Sequence, residues 1–354
     1  MESICVSESD LYVPINIEEN DLYPGITKLL QVLRPSWTVE NINFKVFTDG
    51  ITNKLVACKN NNNSSDNSDV VLVRIYGNKT DLLIDRNAEL RNIKVLNKAG
   101  LAPQVYGVFK NGIAYEYYPG STLTPASVLE EHIWTQIATR LAKMHKVNLG
   151  DDEIREPMLW GKIEQFLNLL PEPFTDPEKQ KRFVHCFGSV SRLSSEYGTL
   201  KARLSGSASP LVLAHNDLLL GNVVHNHQSG HISFIDFEYA AYNYQAFDIA
   251  NHFNEFVGLN IEDIDYSLYP NSEFQRAWIR TYLREYLGSE PAAAQVERLR
   301  DQVDQFVLAS HFLWGVWSLV QYQLSHIDFD FGRYAEVRFQ RYLELKASAS
   351  EKLS

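Results

Sequence analysis

The chain has 354 residues, 45% hydrophobic and 22% charged, which suits a globular protein of about two lobes. A formal net charge of −11 excludes broad binding to a phosphate backbone, so no nucleic-acid partner is expected. Three scattered cysteines (Cys5, Cys58, Cys186) form neither a disulfide framework nor a zinc ribbon. The N-terminus "MESICVSESDLYV" has no basic stretch ahead of an apolar core. The most apolar window, Phe312–Val320, is too short for a membrane span. The expectation is a cytoplasmic protein that is not integral to a membrane.

Along the chain, Ile26 to Val32 begins a short amphipathic helix ended by Pro35. Two β-rich runs follow, "FKVFTDGITNKLVAC" and "VVLVRIYG", separated by an Asn/Ser/Asp run (Lys59–Asp69) that has nothing to bury and reads as a hairpin loop. "LIDRNAELRNIKVLNKAG" has helical spacing with a stop at Gly100. "QVYGVFKNGIAYEYY" reads as a hairpin around Asn111-Gly112. From Pro119 onward helical patterns dominate, beginning with "VLEEHIWTQIATRLAKMHKV". The pattern predicts an α+β, bilobal, protein-kinase-like fold. Its small β-rich nucleotide-binding lobe would span residues 1–118, and its larger, mainly helical catalytic and substrate-binding lobe residues 119–354.

Polar residues interrupt strand-like material in "LAHNDLLLGNVV" and "FIDFEYA". The spacing Asp217-x₄-Asn222 is that of a kinase catalytic loop, where a carboxylate accepts the proton of a hydroxyl nucleophile and an amide oxygen holds Mg²⁺. A hairpin through "HNHQSG" returns Asp236 as a second metal ligand, and Glu238, two residues on, faces the same way. Separately, these residues also suit turns and caps. His225, His227 and His231 straddle a turn with no fourth ligand near, which argues against zinc. In the first lobe, Arg74 is the single charge in a strand that otherwise reads as buried, and Glu89 on the next helix is its expected partner. The turn in "FTDGITNKL" brings backbone N–H groups and Asn53 toward phosphate oxygens. The connector "YEYYPG" offers Glu116 and Tyr118 where an adenine would bond to backbone.

The segments "HNDLLLGNVV", "FIDFEYAAYNYQAFDIANHFNEF" and "ASHFLWGVWSLVQ…IDFDFGRYAEVRF" closely resemble the choline/ethanolamine kinase family, from about Phe44 to Leu343. "FTDGITNKL" and "VLVRIYGNKTDLLIDR" look specifically like ethanolamine kinases. The resemblance implies transfer of the γ-phosphoryl of ATP to the hydroxyl of ethanolamine, in phosphatidylethanolamine synthesis. It makes Asp217 the base, Asn222 and Asp236 the Mg²⁺ ligands, and Glu238 a further metal or structural ligand. One departure is Leu220-Gly221, where ethanolamine kinases usually carry Cys-Lys. Trp314 and Trp317 sit i,i+3 on one helix and suit a cation–π pocket, although alone they read as core. Tyr334 and Glu255 match positions lining the same pocket in the family. Asp248, Asn251 and Glu255 share a helical face of acceptors suited to a primary ammonium, with Asp248 the member expected to hold the catalytic loop instead. Choline kinase, dual specificity, and a nucleotide-binding pseudokinase stand as the alternatives. A homodimer is compatible with the sequence, which does not fix the oligomeric state.

Overall fold

The computed structural model describes residues 11–47, 53–61, 70–77, 82–150, 153–325 and 327–351. The glycine turn at 48–52 and the polar run at 62–69 lie outside the described residues. The chain forms two compact units, residues 1–121 with 224–239, and residues 122–223 with 240–354. This division differs from a single cut after Tyr118, because the hairpin bearing Asp236 and Glu238 groups with the first unit.

The first unit is built on a six-stranded sheet in the order β1-β5-β6-β4-β3-β2. Its strands are β1 (Tyr12–Val13), β2 (Ile42–Phe47), β3 (Asn53–Asn60), β4 (Val70–Tyr76), β5 (Val105–Phe109) and β6 (Gly112–Glu116). β4 lies between two antiparallel partners, which accounts for its apolar character, interrupted only by Arg74 and buried from Val70 to Ile75. Helix α1 (Leu22–Leu33) packs Ile26, Leu29, Leu30 and Leu33 into a core with Val56, Val71, Val73 and Phe109. It starts one turn earlier than the sequence suggests and stops before Pro35, which disfavours helical geometry at residue 34. Helix α2 (Arg86–Lys98) is capped by Asp85, whose Oδ1 accepts from Asn87 N (3.0 Å) and Ala88 N (2.9 Å). It closes at Gly100 in the left-handed region, φ 71°.

The β5–β6 hairpin is where sequence expected it, for a different reason. The pair Phe109↔Gly112 encloses a two-residue loop of Lys110 and Asn111, and neither has a positive φ, so this is not the mirror-image turn that Asn-Gly signals. The Asn111 amide instead ties down an earlier segment, accepting from Ile17 N (3.0 Å) and donating to Ile17 O (2.8 Å). Gly112 is required by proximity, since a Cβ there would lie 2.1 Å from Arg74 O.

The two-residue strand β7 (Ser121–Thr122) leads into the second unit. Among the described residues eight α-helices follow: α3 (Glu131–His145), α4 (Met158–Leu169), α5 (Pro177–Phe187), α6 (Val190–Leu204), α7 (Gln245–Asn254), α8 (Ser272–Leu287), α9 (Ala293–Leu324) and α10 (Phe331–Glu351). Between α6 and α7 runs the chemically marked segment. β8 (Leu211–Ala214) is followed by β9 (Val223–Asn226) and β10 (His231–Phe234), the hairpin of the first unit, and then by β11 (Ala241–Tyr244). β8 and β11 pair antiparallel with Ala214 opposite Ala241 and Leu211 opposite Tyr244. The hairpin is clamped by the connector before it. Gly120 (φ 146°) has no room for a Cβ, which would lie 2.3 Å from His225 O, and His227 Nε2 meets Ser121 Oγ at 2.7 Å. Helix α9 is long and apolar enough to cross a membrane, but 89% of its apolar window is buried inside the protein, against α7 and α10. The apolar stretch therefore extends well beyond Phe312–Val320 and serves as core.

Gly112→Ala should destabilise the protein by about 1–3 kcal/mol, because the carbonyl of Arg74 has to move to admit the methyl group. A fall in the urea unfolding midpoint at unchanged m-value would report it.

Candidate active site

In the second unit, the loop after β8 hangs from one buried carboxylate. Asp248 on α7 is fully buried, its Oδ2 accepting from His215 N (2.8 Å) and its Oδ1 from Asn216 N (2.7 Å). His145 Nε2 also meets Oδ2 at 2.8 Å. Gln245 Nε2 donates to the Tyr282 hydroxyl (2.9 Å), so the proton of that hydroxyl goes to His145 Nδ1 (2.7 Å), and His145 donates through Nε2 to Asp248. Burial raises the Asp248 pKa, but the hydrogen bond from His145, with further help from His215, prevails and holds it below the ordinary value. Asp248 thus takes the loop-holding role expected of it.

Asn216 adopts φ 66°, a conformation asparagine tolerates, and its amide is locked from both ends. Its Oδ1 accepts from Asn243 Nδ2 (2.7 Å), and its Nδ2 reaches Ala214 O (3.4 Å) and Ala241 O (3.3 Å). His252 Nδ1 donates to Leu218 O at 2.9 Å. The result is a half-buried Asp217 on a rigid loop. Asn222 Nδ2 donates to Asp217 O (2.8 Å) and Asp217 Oδ2 (3.2 Å), and among the described residues nothing donates to Asn222 Oδ1. At the departure from the family pattern, Leu220–Asn222 form a single 3₁₀ turn, closed by Asn222 N to Leu219 O (3.0 Å). Gly221 has no positive φ, and a Cβ there would meet only the flexible Leu219 Cδ1 at 2.9 Å.

In the first unit, charges cross-link the sheet, α2 and the hairpin. Arg74 forms ion pairs with Glu89 and, at 2.8 Å, with Asp236 Oδ1. Arg86 Nη1 reaches Glu89 Oε2 (2.9 Å) and Glu238 Oε2 (3.1 Å), and its Nη2 reaches Asn53 Oδ1 (3.0 Å). Asn53 Nδ2 donates to Glu238 Oε2 (3.1 Å). Arg86 also lies 4.0 Å over the Tyr76 ring. Burial pushes the Glu238 carboxyl upward, the Asp236 charge adds to this, and Arg86 and Arg74 oppose it. Carboxylate oxygens of Glu89, Asp236 and Glu238 lie within 4.8 Å of one another. Asp236 has φ 60°, a left-handed turn placed directly at a candidate ligand. Glu116 is held along the sheet, its Oε2 accepting from Gln104 N (3.1 Å), and Tyr118 is half-buried.

The residues expected to recognise a cation are also in the second unit. Trp314 and Trp317 meet edge to face at 5.6 Å, both buried. Trp314 Nε1 (2.7 Å) and Ser310 Oγ (2.8 Å) both donate to Asn251 Oδ1. Glu255 is ion-paired with Arg338, whose guanidinium also binds the Tyr334 hydroxyl. The acceptor face expected from Asp248, Asn251 and Glu255 is therefore largely engaged within the protein.

Sequence reasoning passed over Arg86, His145, Asn243, His252 and Arg338. Two of these carried a usable signal. Arg86 precedes Glu89 by three residues, and Arg338 follows Tyr334 by four, both same-face spacings on a helix.

A sheet-borne arginine clasped by a helix glutamate, and an Asp-x₄-Asn loop slung from a helical unit, are features of phosphotransferases with the protein-kinase-like fold. The chain belongs to the choline/ethanolamine kinase family, whose model matches residues 44–343. It is 46% identical over 334 residues to ethanolamine kinase 1 of Homo sapiens, covering 93% of this chain and 73% of that one. Among solved structures, it is similar to an ethanolamine kinase of Plasmodium vivax, with TM-score 0.79 and 28% identity over 92% of this chain and 89% of that one. It is also similar to a choline kinase of Cryptosporidium parvum, with TM-score 0.73 and 26% identity over 92% and 96%.

The His252 imidazole is pushed down to about 4 by burial, with the Leu218 hydrogen bond opposing. Unfolded, it would accept a proton near pH 6.5, so stability should fall as pH drops from about 6.5 toward 4, by about 3 kcal/mol for this group. Urea midpoints across that window should show the fall, and His252→Gln should flatten it. Asp248→Asn, which removes a charge from three buried donors, should cost about 3–5 kcal/mol and depress turnover.

Proposed function

We propose that this protein is an ethanolamine kinase, transferring the γ-phosphoryl of ATP to the hydroxyl of ethanolamine to give phosphoethanolamine. The observation carrying the reading is the loop geometry, in which Asn222 Nδ2 fixes Asp217 while no described residue donates to Asn222 Oδ1. The family and the 46% identity to an ethanolamine kinase favour ethanolamine as the acceptor.

Asp217 orients the substrate hydroxyl and accepts its proton as the new P–O bond forms and the bond from the γ-phosphorus to the β–γ bridging oxygen of ATP breaks, releasing ADP. Arg74, positioned by Glu89, aligns phosphate oxygens, with Asn53 and Arg86 beside it. Glu116 and Tyr118 receive the adenine. Asn222 and Asp236 would hold Mg²⁺, with Glu238 a further metal or structural ligand. The donor set fits this ion. All its ligands are hard oxygens, and in the first unit three carboxylates face two guanidiniums, leaving net negative charge. When bound, Mg²⁺ would neutralise phosphate charge. Glu255, Trp314, Trp317 and Tyr334 line the amino-alcohol pocket. A cytoplasmic setting belongs to the same reading. The edge-to-face tryptophan pair also suits a trimethylammonium, which favours choline as the second candidate acceptor.

ADP release with ATP-Mg²⁺ and ethanolamine, monomethylethanolamine or choline tests the reading, and a higher kcat/KM for choline would overturn the choice of ethanolamine. Asp217→Asn should lower kcat by about 10²–10⁴-fold with nucleotide affinity largely retained. Near-normal turnover in that variant would remove Asp217 from the mechanism.

A further inference from the structure

The residues proposed for cation recognition are joined by a fifth, Arg338, one turn after Tyr334. Arg338 on α10 is buried, at 5% exposure. Its Nη2 donates to Glu255 Oε1 and to the Tyr334 hydroxyl (2.6 Å), its Nε to the same hydroxyl (2.9 Å), and its Nη1 meets His311 Nδ1 at 3.4 Å. His311 is itself buried, and burial together with the Arg338 charge favours its neutral form, leaving Nδ1 free to accept.

This guanidinium decides which acceptors remain for a ligand. The hydrogen bond to Glu255 goes to Oε1, and among the described residues Oε2 has no hydrogen-bond donor. The Tyr334 oxygen already accepts two N–H bonds, so toward a ligand it acts as a donor only. Asn251 Oδ1 is taken by Trp314 and Ser310, and both Asp248 oxygens are taken by the catalytic loop. On the Asp248/Asn251/Glu255 face, Glu255 Oε2 is the anionic acceptor that remains. A primary ammonium can donate an N–H to it, whereas a trimethylammonium has none to give and relies on the aromatic faces.

We propose that Arg338 is the specificity-determining positioning residue of the amino-alcohol site, holding Glu255 by one oxygen so that the other receives an N–H of a primary ammonium. The proposal rests on the amino-alcohol reading above. Arg338 acts through Glu255, without touching the substrate. A lysine in its place keeps the charge but cannot bridge Glu255 and Tyr334 with one planar fork.

The test compares wild type, Arg338→Lys, Glu255→Gln and the double variant, by steady-state kinetics and by calorimetric binding of ethanolamine and choline. Arg338→Lys should raise the ethanolamine KM about tenfold, one charge-assisted hydrogen bond's worth, with kcat and the choline KM within about threefold. In the double variant the ethanolamine-to-choline preference should equal that of Glu255→Gln alone, because Arg338 has then lost the group it acts through. Equal losses on both substrates, or additive losses in the double variant, would overturn the proposal and leave Arg338 a purely structural residue. Thermal unfolding checks that the variants fold. If Arg338→Lys does not, Tyr334→Phe removes the oxygen that Arg338 clasps and should shift the preference the same way, and an unchanged preference overturns the proposal. Wild type that binds amino alcohols without turnover would refute the kinase reading while Arg338 is still judged on binding ratios. Wild type that binds neither would overturn both.

Discussion

The second unit is organised around a buried anion. The Asp248 carboxylate is fully buried, and the two backbone N–H groups at His215 and Asn216, with His145 behind them, make its burial tolerable. That requirement fixes the loop. The backbone turns through a left-handed Asn216 because both N–H groups have to point at one carboxylate, and Asp217 is then presented at the next residue. Asn243, His252 and Asn222 add further ties, so the geometry of Asp217 is set by the fold itself.

The first unit uses a different electrostatic device. Arg74 and Arg86 share Glu89, and each holds one further carboxylate, Asp236 and Glu238 respectively, so losing either arginine strands more than one acid. Such a network is a poor source of stability compared with an apolar core. Its value is positional, because it registers β4, α2 and the hairpin against one another through the groups that would face phosphates and metal.

Much of this was legible in the sequence because the signals were local. The Asp-x₄-Asn spacing, the lone arginine of β4 and the cap and glycine stop of α2 each follow from a few neighbouring residues. The partners that fix them are distant in sequence and carry no periodic mark. His145 meets Asp248 across 103 positions and Arg338 meets Glu255 across 83, so only the folded chain shows that Glu255 has a counter-ion. Asn111-Gly112 illustrates a right location with a wrong cause. The dipeptide predicts a mirror-image turn, while the structure uses the asparagine for its amide and the glycine for clearance. The apolar α9 shows the same limit, since a window of hydropathy cannot say whether helix or lipid covers it.

The first unit is discontinuous in sequence, and this sets an order of events during synthesis. Its sheet is complete once β6 has left the ribosome, yet Arg74 and Arg86 then have only Glu89 among their eventual acidic partners. Asp236 and Glu238 arrive more than a hundred residues later, a delay of about 6–24 s at ordinary elongation rates. Through that interval Arg74 and Arg86 have only Glu89 to share, and the connector at Gly120 lacks the hairpin it packs against. Completion of the first unit is thereby coupled to translation of the β9–β10 hairpin, and a chain arrested before it cannot complete the charge network.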